Sequence, residues 1–339
     1  MDAATVRERL CDLEDPDLGG RLLDRGLLEV VDRDGSAVVE VRLGAIGSPT
    51  EAALLAAVDA AVEDLDVAVE RVAPGGTDEV GAVLDGVSNV VAVASGKGGV
   101  GKTSVAVNLA VGLADRGATV GLFDADVYGP NAPMAVGEHG PPSATPEETL
   151  VPPTAHGVRV MSMAYLVGEQ DPVIWRGPMV HKVITQLVED VEWGALDYLV
   201  VDLPPGTGDT QLTLLQTVPL TGAVIVTTPQ RVALHDARKG LEMFGRHETA
   251  VLGIVENMAG FRCPDCGSIH DVFGAGGGRA LAEEVDLPFL GSVPLDPRVR
   301  TGDRPVVLDE EAAAGEAFRA IAADVADAVG VVTRRRNRR

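Results

Sequence analysis

The sequence predicts an α/β fold built on a mostly parallel sheet covered by helices on both faces, preceded by a small α+β unit. Three observations carry this expectation. From about residue 89 onward, near-continuous apolar runs alternate with helix-period segments, the pattern of strands buried on both faces. A glycine-rich turn, Gly96-Lys97-Gly98-Gly99-Val100-Gly101-Lys102-Thr103-Ser104, joins apolar residues 91–95 to a periodic segment ending near Leu113. Residues 1–75 read differently, as helix, two short strands, helix and strand.

In that first unit an early helix leads to Asp15-Pro16-Asp17-Leu18-Gly19, a turn or cap. Strands are expected at 28–31 and 37–43 around an Asp34-Gly35 turn. Pro49-Thr50-Glu51 opens an alanine-rich helix to about Leu65, and 67–72 closes a meander. Residues 76–88 read as a linker, 89–332 as the α/β unit and 333–339 as a basic disordered tail. Within the large unit further strands are expected at 118–124, 157–163, 196–202, 222–227, 250–255 and 287–291, with helices at 178–188, 233–244, 278–284 and 310–329. Ligands of such a sheet gather at the carboxyl ends of its strands.

Composition narrows the class of function. A chain of 339 residues exceeds the usual single domain, and its formal charge of −23 disfavours nucleic acid as a partner. Of 28 basic residues only Lys97, Lys102, Lys182 and Lys239 are lysines; with the acidic excess, this points to a salt-rich, halophilic cell. The N-terminus is acidic and no run reaches the roughly 18 apolar residues that span a bilayer, so a cytoplasmic protein without a membrane partner is expected. Three cysteines do not make a disulfide scaffold.

Gly96 to Thr103 matches G-x-x-x-x-G-K-[ST] in the strand-to-helix context that the phosphate loop requires, giving a P-loop NTPase. Its glycines let inward-facing N–H groups wrap a polyphosphate, and the following helix adds its positive end. Lys102 is expected on the β and γ phosphates and Thr103 on Mg²⁺. Asp202 ends the apolar run 196–202, where a carboxylate meets Mg²⁺, and Pro204-Pro205-Gly206 forms a loop that reports the γ phosphate. Of the pair ending the 118–124 strand, Asp126 is assigned to the attacking water and Asp124 to Mg²⁺.

Cys263-Pro264-Asp265-Cys266 places two thiolates within one turn of backbone. Taken alone, the pair suits a cluster, a zinc half-site, a redox couple or an inert turn. Two cysteines cannot complete a four-thiolate site, whereas a twofold axis doubles the count. Phe273-Gly274-Ala275-Gly276-Gly277-Gly278 reads as a flexible element behind the pair.

Lys97-Gly98-Gly99-Val100-Gly101-Lys102-Thr103 resembles the deviant Walker A loop of the MinD/ParA class. Together with Val226-Thr227-Thr228-Pro229-Gln230, Glu256-Asn257-Met258 and the C-x-x-C pair, the chain resembles the Mrp (ApbC-type) family of iron-sulfur cluster carrier ATPases. The D-P-D-L-G string, Asp24-Arg25-Gly26-Leu27 and the element order of residues 1–75 resemble the small domain of iron-sulfur assembly proteins. Members often carry a cysteine in the loop before its last helix; here Ser48 falls in that loop.

The resemblance implies a homodimer in which Lys97 contacts the nucleotide of the facing subunit. It also implies that Asn257 and the backbone around Pro294 touch adenine, so that ATP is the substrate. A 4Fe-4S cluster would bridge Cys263 and Cys266 of both subunits, received from assembly machinery and passed to apoproteins. The rival readings are a MinD/ParA-like positioning ATPase and a zinc-binding regulatory ATPase. The acidic, alanine-rich segment 310–332 suits neither the DNA patch nor the membrane helix that positioning requires. An electron donor like the nitrogenase iron protein is disfavoured because that class sets its cluster cysteines far apart.

Overall fold

The computed structural model describes residues 3–33, 36–72, 84, 86–137, 140–146, 149–166, 177–263, 266–301 and 304–336. The Asp34-Gly35 turn, most of the linker, Pro264-Asp265 and the loop before Gly177 lie outside the described residues.

The small unit comprises α1 (Ala3–Leu10), β1 (Leu28–Arg33), β2 (Ser36–Arg42), α2 (Pro49–Val62) and β3 (Ala68–Val72). Ser48 caps α2 by accepting the Glu51 N–H, and Pro49 sits at the first turn where its missing N–H costs nothing. Val6, Leu10, Val39, Val41 and Val58 form its buried core. One expectation fails here. β1 and β2 are antiparallel, but β3 runs parallel to β2 after the α2 crossover, so the unit is not a meander. The valines of 67–72 reveal a strand, but its direction depends on which way α2 returns the chain.

The large unit contains β4 (Val87–Ser95), α3 (Lys102–Asp115), β5 (Val120–Asp124), α4 (Ala132–Val136), β6 (Ser143–Ala144), β7 (Leu150–Val151), β8 (Thr154–Ala155), β9 (Val158–Ser162), α5 (Gly177–Glu189), β10 (Leu196–Asp202), α6 (Asp209–Thr217), β11 (Gly222–Thr227), α7 (Arg231–Arg246), β12 (Val251–Arg262), β13 (Ile269–His270), α8 (Gly277–Glu284), β14 (Phe289–Leu295) and α9 (Ala313–Arg336). The main sheet has the order β13-β12-β11-β4-β10-β5-β9-β8, with β14 on β12. Only the β12–β13 and β8–β9 pairs are antiparallel. Alternation explains the two layers. Val91, Val93, Tyr198, Val200, Val224 and Val226 pack on the side of α3 and α9. Their neighbours Val90, Ala92, Leu199, Val201, Ala223 and Ile225 face α5, α7 and α8.

The predicted disordered tail is a second correction. α9 continues through Arg336, and Arg334 is among the largest fully buried side chains. Its guanidinium meets Asp15 at 3.0 Å, Asp17 at 2.5 Å and Glu51 at 3.2 Å, all in the small unit. Arg71 pairs with Glu51 at 2.8 Å and Arg25 lies 3.7 Å from Asp15, so three carboxylates meet three guanidinium groups. A Cβ on Gly330 would lie 2.8 Å from the Arg334 Nη1, which explains a glycine in this helix. Burial pushes the Glu51 carboxyl up, against the Ala45 N–H and the Arg71 and Arg334 charges. A run of arginines reads as a solvated end because sequence alone does not disclose the buried carboxylates waiting for one of them.

Further ties fasten the two units. The Ser48 hydroxyl and the Thr50 N–H meet the Asp327 carboxylate, Asn89 donates to the Gly44 carbonyl and the Tyr198 hydroxyl to that of Ile46. The loop 44–50, with Ser48, is therefore seated on the large unit. No helix among the described residues is long and apolar enough to cross a membrane.

Arg334→Ala removes the guanidinium that Asp15, Asp17 and Glu51 share, leaving Glu51 only Arg71 and Asp15 only the more distant Arg25, and urea unfolding should show a loss of about 3 kcal/mol. Arg335→Ala, at an exposed position one residue on, should change the unfolding free energy by less than about 0.5 kcal/mol.

Candidate functional site

The carboxyl ends of β4, β5 and β10 converge because these strands are parallel neighbours in register, with Asp202 opposite both Val93 and Asp124. The chain leaves β4 through the glycine turn and enters α3 at Lys102. Gly101 precedes the helix with φ +81, and a Cβ there would lie 2.1 Å from the Asn257 Nδ2. Backbone conformation and close approach thus both demand glycine at that place.

Lys102 and Asp202 are buried and joined at 2.5 Å, while the Thr103 hydroxyl donates to the other Asp202 oxygen at 2.6 Å. The Lys102 ammonium also lies 3.9 Å from Asp126. Asp126 uses its Oδ1 to accept the N–H groups of Tyr128 and Gly129, leaving Oδ2 toward the lysine. Asp124 accepts the Asp126 and Ala132 N–H groups and the Ser162 hydroxyl. It holds the loop after β5 as well as adding charge. Burial first, then the Asp202 carboxylate beside it, pushes the Asp124 carboxyl up to about 7. Burial also raises Asp202, against the opposing pull of Lys102 and Thr103.

The structure thus brings Lys102, Thr103, Asp124, Asp126 and Asp202 into one cluster beneath Gly96 to Gly101. Ser104 lies one residue further along α3 and borders a cleft of about 250 Å³, also lined by Val107, Asn108, Met134, Val299 and Arg304. Asn257 donates to the Val100 carbonyl at 2.8 Å, and Pro294 follows Val293, its register partner on β14. Lys97 stands apart from the carboxylates. Its ammonium reaches only the Gln230 side chain, at 3.5 Å, and forms no ion pair among the described residues.

Cys263 and Cys266 sit on a hairpin that extends β12 beyond the body of the sheet and returns through β13. Backbone bonds from Cys263 N to Ser268 O and from Gly267 N to Cys263 O, each 2.9 Å, close the turn. Cys266 is exposed; the Ser268 hydroxyl 3.2 Å away, its N–H and the Cys263 thiol hold the Cys266 thiol below its usual range. No group of three or more His, Cys, Asp or Glu residues poised to hold a metal occurs among the described residues. Ile269, Val272 and Phe273 leave apolar surface around the pair.

Two side-chain roles in this region escaped the sequence reading. Ser162, at the end of β9, orders Asp124; a serine ending an apolar strand was its only signal. Glu256, fully buried in β12, accepts the N–H groups of Gly276 and Gly278. The glycines expected to form a flexible element are instead held by that carboxylate at the start of α8. A lone carboxylate within the apolar run 250–257 was the available sign.

The raised Asp124 sets a pH dependence. Between its unfolded value of 3.8 and about 7 the folded chain keeps a proton that the unfolded chain releases. This stabilisation is full below the unfolded value and is lost as pH rises through about 7. In metal-free and nucleotide-free protein, Asp124→Asn should flatten the stability profile there by up to about 1.4 kcal/mol per pH unit, read by urea unfolding across pH 4–8.

Comparison with known proteins places this geometry. A family profile described as ParA, NUBPL iron-transfer P-loop NTPase, matches residues 86–326. An iron-sulfur cluster carrier protein of Deinococcus radiodurans is 44% identical over 98% of this chain and 97% of its own. The iron-sulfur cluster transfer protein NUBPL of Mus musculus is 50% identical over 67% of this chain and 73% of its own. Among solved structures, a nucleotide-binding protein of Archaeoglobus fulgidus in complex with ADP, with cobalt found in it, has a TM-score of 0.61 and 39% identity over 71% of this chain and 96% of that one. The cell division ATPase MinD of Pyrococcus furiosus shares the fold, with a TM-score of 0.53 at 24% identity over 70% and 98% of the two chains. The glycine loop over a parallel sheet is that of a P-loop NTPase, and the chain belongs to the ParA/NUBPL family of iron-transfer P-loop NTPases, with homology to the Mrp (ApbC-type) carriers.

Proposed function

We propose that this protein carries a 4Fe-4S cluster between two copies of itself and delivers it to apoproteins, with ATP binding and slow hydrolysis controlling release. The observation that carries the reading is the incomplete thiol site. Cys263 and Cys266 stand on a projecting hairpin without a third ligand among the described residues, on a chain with a complete phosphate loop. Two such hairpins facing across a twofold axis supply four thiolates. Such a site loosens when the interface loosens. The cluster is cargo, and the lowered Cys266 thiol favours the thiolate that would hold it.

At the other end, polyphosphate displaces the Lys102–Asp202 pair. The ammonium turns to the phosphates, and Asp202 and Thr103 are left as hard oxygen donors. That donor set fits Mg²⁺, which Thr103, Asp202 and Asp124 would hold and which would neutralise phosphate charge. Gly96 to Ser104 supply N–H groups to the phosphate chain. Asp126 orients the attacking water and takes its proton as the γ phosphate leaves ADP. Lys97, which pairs with no carboxylate among the described residues, is disposed to reach the nucleotide of a facing subunit. Asn257 and Pro294 contribute to the adenine side. The named relatives, a cluster carrier, a cluster transfer protein and an ADP complex, support the same reading.

Anaerobic reconstitution with iron and sulfide should give about one 4Fe-4S cluster per dimer, and the double change Cys263→Ser, Cys266→Ser should abolish it. Stoichiometric zinc with no cluster uptake would sink the proposal. Lys102→Ala should leave cluster binding intact while removing the effect of Mg-ATP on transfer to an apoprotein. Equal transfer rates in the unaltered protein with and without Mg-ATP would count against coupling.

A further inference from the structure

β12 is two structures in one strand. Through Asn257 it is an interior strand, paired with β11 and β14. From Phe261, which also meets Leu295 of β14, it pairs with β13 and leads into the arm that carries the cysteines. Between these parts the β14 register is broken, and Met258 adopts φ +58, a left-handed conformation uncommon for residues other than glycine, asparagine and aspartate. The strand bulges there, with Gly260 also at a positive φ of +73, and meets β14 again only at Phe261, opposite Leu295.

Three consecutive side chains fix both the arm and the phosphate loop. Glu256 binds the N–H groups of Gly276 at 3.0 Å and Gly278 at 2.5 Å, where the chain returns from the arm. This approach is close: a Cβ on Gly278 would lie 2.8 Å from the Glu256 Cβ. Asn257 donates to the Val100 carbonyl, and its amide occupies the space beside Gly101. The Met258 Cε would lie 3.6 Å from a Cβ on Gly101. The arm is therefore held at its exit by Met258 and at its return by Glu256, and the residue between them grips the backbone just before Lys102.

We propose that Glu256, Asn257 and Met258 are a positioning unit that sets the orientation of the cysteine arm according to the state of the phosphate loop. Met258 is the pivot and Glu256 the clamp. The proposal rests on the reading that the loop takes ATP and the arm takes cargo. When Lys102 leaves Asp202 for a phosphate, the Val100–Gly101 backbone carries the change to Asn257. Leaving the buried Val100 carbonyl without its partner is unfavourable, so the amide follows it. The turn at Met258 converts that shift into a change of arm direction, because the clamp at Gly276 and Gly278 keeps the returning chain from absorbing it.

The test uses cluster-free full-length protein and reads the rate at which iodoacetamide alkylates Cys263 and Cys266, with and without Mg-ATP. Mg-ATP should change that rate by about fivefold or more, the lower end of ordinary site-to-site coupling. Met258→Gly suits the positive φ and should fold, yet at saturating Mg-ATP lose the nucleotide-dependent change because the pivot no longer holds one direction. Met258→Asn, which also tolerates this conformation but is less free than glycine, should retain most of it. Glu256→Gln gives up one acceptor at the clamp and should reduce the change independently. A full nucleotide response in Met258→Gly overturns the proposal, as does an unaltered protein that binds Mg-ATP with no change in alkylation. Coupling without cluster uptake in reconstitution would instead refute the carrier reading and leave this linkage standing.

Discussion

The nucleotide end of the molecule depends on one buried carboxylate. Asp202 ends a strand that is covered on both faces, so its charge cannot be shared with water and must be matched by side chains. Lys102 and Thr103 do this from the first turn of α3, and in doing so they draw the glycine loop down over the sheet edge. A loop rich in glycine has no side-chain packing of its own to define its path. Its shape follows from the ion pair at its end and from the Asn257 amide at its flank.

A second constraint acts through the sheet order. Parallel strands bring their carboxyl ends to one edge, so residues from β4, β5 and β10 meet despite their separation in sequence. β12 belongs to that edge too, but it continues past it. One strand thus holds the phosphate loop through Asn257 and carries the cysteine hairpin at its far end, with an irregular stretch at 258–260 between them.

Much of this was legible in the sequence. Apolar runs located the strands, the glycine pattern located the loop, and aspartates at strand ends marked Asp124 and Asp202. What escaped depends on pairs that no local pattern records. The direction of β3 is set by where α2 returns. Ser162 matters only because β9 is the neighbour of β5. The glycines of 274–278 suggested freedom, but the carboxylate that restrains them lies on another element. Arg334 sits among other arginines and differs from them only in the acids it reaches.

That arginine has a consequence for how the molecule is made. Arg334 stands 319 positions after Asp15 and 283 after Glu51. On the ribosome the small unit emerges first, with its acidic pocket lacking this counter-charge, and waits for nearly all of the ATPase unit to be synthesised. Closure of the seam is therefore a late event that reports completion of α9. A chain that stalls before this arginine presents an unclosed seam, recognisably different from the finished protein.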